Sequence, residues 1–71
     1  MDKTEIARVQ LYLRQKFGTE RLRLVQSRQD PNTAEMLMGE EFMGVVFRDD
    51  EEGELSYNLH MAILEMDLPR H

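Results

Sequence analysis

The sequence predicts an α+β fold in which one amino-terminal helix packs on a four-stranded antiparallel sheet, an α-β-β-β-β meander. Three observations lead there. Apolar residues recur at helical spacing between Ile6 and Phe17. They alternate at period two in residues 21–27, and alternate again through most of residues 36–63, where two turn signals punctuate the run.

The helix has signals at both ends. Asp2 with Glu5 three residues later fits a capping box, in which each side chain accepts from a backbone N–H of the first turn, so the helix should begin near Lys3. At 100° per residue, Ile6, Val9, Leu13 and Phe17 form one stripe facing the sheet, with Tyr12 on its flank. Lys16 suits the negative end of the helix dipole, and Gly18 can take the left-handed conformation that stops the helix. Leu11 falls outside the stripe as a single exposed leucine, which is ordinary.

Leu22 and Leu24 alternate with Arg21 and Arg23, the pattern of a half-buried strand with its arginines outward. The Asp30-Pro31-Asn32 sequence then makes residues 28–33 a loop, because proline removes a donor and biases the preceding residue to extended geometry.

The turns fix expected registers for the remaining strands, since opposite residues of an antiparallel pair share a face. A two-residue turn at Gly39 and Glu40, with Gly39 at positive φ, sets Leu37 opposite Phe42, Met36 opposite Met43 and Ala34 opposite Val45. A loop at residues 49–53 sets Arg48 opposite Glu54, Phe47 opposite Leu55, Val45 opposite Tyr57 and Met43 opposite Leu59. Residues 59–67 carry two periods. Leu55, Tyr57, Leu59, Met61 and Ile63 alternate as a strand, whereas Leu59, Ala62, Ile63 and Met66 also fit a helix capped by Asn58. The strand explains more residues; the helix would give the alternative order α-β-β-β-α. That is the order of double-stranded RNA-binding domains, which read phosphates with basic residues, but here the closing segment is acidic.

Seventy-one residues make one small domain, 1–71, and a domain this size hides only about 60% of its unfolded surface. The absence of cysteine excludes disulfides and thiolate zinc sites as staples, leaving oligomerisation as the common device. No apolar run has the length of a secretory signal or a membrane span, so a soluble cytoplasmic protein with no membrane partner is expected. Charge is uneven. Residues 1–28 carry seven basic and three acidic groups, net +4, and residues 29–71 carry two basic and eleven acidic groups, net −9. Neutralisation within the fold or across a dimer is the simpler reading of that asymmetry, and a charged partner surface the sharper one.

Three phrases carry a resemblance: Ala7-Arg8-Val9-Gln10-Leu11-Tyr12-Leu13-Arg14, Gly39-Glu40-Glu41-Phe42-Met43-Gly44-Val45, and Ser56-Tyr57 followed by Met61-Ala62-Ile63-Leu64. In this order and at these spacings, residues 6–68 resemble a family of short, uncharacterised bacterial proteins, a domain of unknown function of alphaproteobacterial type. The resemblance implies a bacterial cytoplasmic protein that exists as this domain alone. It brings no catalytic, cofactor or metal residue with it.

The residues themselves offer few chemical sites. Asp49, Asp50, Glu51, Glu52 and Glu54 around Gly53 invite calcium, but an EF-hand loop starting at Asp49 would need glycine where Glu54 stands and glutamate where His60 stands. A solvated hairpin loop is the plainer reading. His60 has Ser56 on the same strand face, roughly 13 Å away at about 3.3 Å per residue, too far for a nucleophile and base pair. It reads as a packing or interface histidine, and terminal His71 as mobile. Six methionines suit gap-filling in the core or an adaptable apolar surface.

With no triad, phosphate loop, metal set or cofactor motif, the expected class is a small interaction module and not an enzyme. The registers place Ala34, Met36, Met43, Val45, Phe47, Leu55, Tyr57 and Leu59 under the helix. The opposite face then displays Leu37, Phe42, Val46, His60, Ala62 and Leu64 inside a rim of Glu35, Ser56 and Asn58. A solvated sheet face carries polar residues instead, so this face is the expected interface of a homodimer, or of an unidentified protein partner. A tail at residues 66–68 folding back over the patch is the alternative cover. The runner-up function is a nucleic-acid-binding or regulatory protein using the basic first third, through Arg21, Arg23 and Arg28 with Arg8, Arg14 and Lys16 on the helix. The net acidity of the chain and the lack of aromatics among the strand arginines argue against it.

Overall fold

A computed structural model describes residues 1–51 and 53–70. The acidic Glu52 and terminal His71, which figured in the calcium and mobility readings, lie outside the described residues.

Helix α1 spans Lys3–Phe17 and begins as its capping residues dictate. The Asp2 carboxylate accepts from the Glu5 N–H at 2.7 Å, and the Glu5 carboxylate accepts from the Asp2 N–H at 3.2 Å. Gly18 ends it at φ 67 and donates its N–H to the Arg14 carbonyl. Leu13 is buried, and Ile6 and Val9 pack beside it. Phe17 continues the stripe but not the packing, and stays 54% exposed.

The strands are β1 (Leu22–Gln26), β2 (Thr33–Met38), β3 (Glu41–Asp49) and β4 (Ser56–Met61), antiparallel in the order β1-β2-β3-β4. This is the α+β meander. The helical alternative for the last segment is reduced to a 3-10 turn at Glu65–Asp67, and the strand stops at Met61, two residues short of the alternation. The loop before β2 is held by side chains. The Gln26 amide donates to the carbonyls of Ser27, Asp30 and Thr33, and the Asp30 carboxylate accepts from the Asn32 N–H and the Thr33 hydroxyl. Those two donors hold the Asp30 carboxyl below its ordinary range.

Two register corrections follow. Next to the turn, Gly39 has φ 64 and Leu37 lies opposite Phe42 as expected, but a bulge between Met36 and Leu37 then sets Met36 opposite Gly44 and Ala34 opposite Val46. The extra residue on β3 is Met43, and a bulge of one residue exchanges the faces of everything beyond it. The β3–β4 pairing differs as well, with Arg48 opposite Tyr57 and Val46 opposite Leu59, because the connection takes in residues 50–55. Both shifts are odd, so they cancel in β4 and leave only the part of β3 beyond Met43 turned over. Ala34, Met36, Tyr57 and Leu59 stay on the helix side, while Val46 replaces Val45 and Phe47 there.

The core is therefore Leu13, Leu22, Leu24, Ala34, Met36 and Val46. It sits between α1 and the β1 half of the sheet. The radius of gyration is 13.2 Å, above the roughly 11 Å of a compact chain this long, and the longest extent is 43 Å. Large apolar side chains at Phe42, Leu55, Met61, Ile63, Leu64 and Met66 all remain 44% or more exposed.

Candidate functional site

The face of the sheet away from α1 has no covering element among the described residues. Its members follow from the registers: Arg23, Leu37 and Phe42 form one row across it, and Val25, Glu35, Val45 and His60 form the next. Phe47 lies beside that row and meets the His60 ring edge-on, with centroids 4.9 Å apart at 79°. That packing gives His60 a structural partner.

At the β4 end this face deepens into a groove of 660 Å³ lined by Phe42, Val45, His60, Ala62, Leu64 and Asp67, among others. Four residues expected on the interface are thus brought together: Phe42, His60, Ala62 and Leu64. Leu37 adjoins them across the strand from Phe42. Val46 does not belong there. The β3 bulge turns it under the helix, where it is 1% exposed, and brings Val45 and Phe47 to the outer face instead. The signal for this was Gly44, since an isolated glycine within a strand marks a bulge or a close backbone approach. A Cβ at Gly44 would overlap the His60 carbonyl oxygen. The tail borders the groove through Leu64 and Asp67 without covering it, for Phe42 is 58% and Met66 83% exposed.

On the helix side, a second groove of 520 Å³ opens between α1 and the β3–β4 edge, lined by Arg8, Val9, Tyr12, Val46, Leu55 and Leu59, among others. A polar cluster closes one end. Glu5 Oε2 accepts from Arg48 Nε and from the Tyr57 hydroxyl, each at 2.7 Å. The Tyr57 hydroxyl, the Asp2 N–H and the Arg48 guanidinium together hold the Glu5 carboxyl below its ordinary range. In return the Glu5 carboxylate raises Tyr57 and Arg48. Each of the cluster's groups already has its partner in another, the arrangement of a structural clasp. Arg48, expected opposite Glu54, reaches the helix because β3 is turned over.

Two arginines of the basic first third are occupied with backbone carbonyls. Arg14 Nε donates to the Leu22 carbonyl at 2.7 Å, Arg23 Nε donates to the Gly39 carbonyl at 3.1 Å, and the Arg21 guanidinium packs over Gly39. Among the described residues the ion pairs join Arg48 to Glu5 and Asp50, and none links an arginine of residues 1–28 to the acidic remainder. The charge asymmetry therefore persists in the fold instead of being neutralised by direct pairing. In the acidic hairpin loop, Asp49 accepts from the Glu51 N–H, and among the described residues no three His, Asp or Glu side chains converge as a metal set.

No helix among the described residues is long and apolar enough to cross a membrane. No curated protein and no solved structure matches the chain. A family model described as "Protein of unknown function (DUF3126)" matches residues 5–67, so the chain belongs to that family.

Proposed function

We propose that this chain is a small self-associating interaction module, acting in the bacterial cytoplasm without catalytic chemistry of its own. The observation that carries the reading is the uncovered outer face, where Leu37, Phe42, Val45, Phe47 and His60 stand together and continue into a groove bordered by Ala62 and Leu64. An apolar face of this kind, set in a chain whose exposed large hydrophobics outnumber its buried ones, favours a protein partner. A second copy laid on it about a two-fold axis covers both faces at once. Nucleic-acid binding is the weaker reading, because Arg14 and Arg23 are committed to backbone carbonyls.

Solvent accessibility tests the reading. The Leu37 and Val45 methyl groups should be shielded from a soluble paramagnetic agent at high micromolar concentration and become accessible on dilution, while exposed Leu11 stays unchanged. Equal accessibility at both concentrations contradicts it.

A further inference from the structure

We propose that two copies of this chain pair edge to edge through β4, antiparallel about a two-fold axis at Leu59, so that the sheet runs on from one copy into the other. The pairing goes beyond the face association and is independent of it. It stands on the different treatment of the two sheet edges.

Two hydrogen bonds fix which backbone groups point outward. The Ser27 N–H donates to the Thr33 carbonyl, so β1 turns the N–H and C=O groups of Leu22, Leu24 and Gln26 away from β2. Helix α1 closes that edge, with Gln10 Oε1 accepting from the Leu24 N–H at 2.9 Å and Arg14 Nε donating to the Leu22 carbonyl. On the other side, the Arg48 N–H donates to the Asn32 carbonyl, so β3 bonds to β4 through Val45, Phe47 and Asp49. Tyr57, Leu59 and Met61 therefore present their backbone groups outward. Among the described residues nothing reaches them. Natural edges are blunted by lysine, proline or inward charge. In a chain that is 32% charged, β4 reads Ser-Tyr-Asn-Leu-His-Met, with none of these.

The occupant is identified by self-complementarity. A two-fold axis at Leu59, perpendicular to the sheet, keeps helix side with helix side. It sets Leu59 against the partner's Leu59, Tyr57 against the partner's Met61, and Leu55 against the partner's Ile63. The outward backbone groups of all three β4 residues are then bonded, and Leu55, Met61 and Ile63, which are 47%, 44% and 68% exposed, gain apolar neighbours. The strand alternation that outruns β4 to Ile63 is accounted for by the same contact.

The test uses the absence of native cysteine and a Phe42→Glu background, chosen to break the outer-face contact. In this register exposed Asn58 lies directly opposite the partner's His60, a pair about 4.5 Å apart at Cα and within disulfide reach. Asn58 and the partner's Asn58 are diagonal, about 7–8 Å apart. An Asn58→Cys chain mixed with a His60→Cys chain under mild oxidation should give a disulfide-linked product of twice the chain mass, and neither chain alone should. No linked product from the mixture, with both thiols free to titrate and both chains folded by circular dichroism, overturns the pairing. Equal linking within either chain alone also overturns it. The mass change caused by Phe42→Glu itself reports on the face association, so the two readings fail separately.

Discussion

Glu5 and Arg48 meet at 2.7 Å across most of the chain's length, tying the first turn of α1 to the far end of β3. The Tyr57 hydroxyl on β4 shares the same carboxylate oxygen. The folded-state pKa of Glu5 lies below its unfolded value, so the contact contributes stability that is present above the ordinary glutamate pKa and is lost as pH falls through the depressed value. Tyr57→Phe removes the largest cause of the depression. The Glu5 carboxyl, followed by NMR titration, should then move up toward the ordinary carboxylate range, and an unchanged titration would contradict the clasp.

Gly44→Ala should destabilise the protein by about 1–3 kcal/mol, because the new methyl group meets the His60 backbone and not a flexible side chain. The backbone at Gly44 has no positive φ, so alanine would otherwise gain about 0.4–1 kcal/mol by restricting the unfolded chain. Chemical denaturation reads the sign directly. A stabilised variant would mean that β4 does not approach β3 this closely.

Gln10→Ala should strip the Leu24 N–H of its acceptor and cost about 1 kcal/mol. Amide hydrogen exchange gives the sharper readout. Exchange at Leu24 should accelerate well beyond that of Leu22 and Val25, and uniform exchange across β1 would show that the helix does not close this edge.

The helix was legible in the sequence because its determinants are local: the Asp2–Glu5 box, the Gly18 stop and the Ile6–Val9–Leu13 stripe act within a few residues of one another. Strand order and the Gly39 turn were legible for the same reason. The outer face was legible only in part, because facing depends on register, and register accumulates along the chain. One extra residue at Met43 was enough to exchange Val46 for Val45 and Phe47. Alternation alone hides such an event, since Met43, Val45, Val46 and Phe47 are apolar on either face. Gly44 was the one visible mark of it.

The self-association of the outer face is tested most directly by light scattering on the wild type and on Phe42→Glu at high micromolar concentration. Phe42 is 58% exposed, so the glutamate leaves the core intact while placing like charges across the two-fold contact. The wild type should exceed the 8.4 kDa of one chain, and Phe42→Glu should halve its mass while remaining folded. A folded wild type that stays monomeric, or a variant of unchanged mass, contradicts the account.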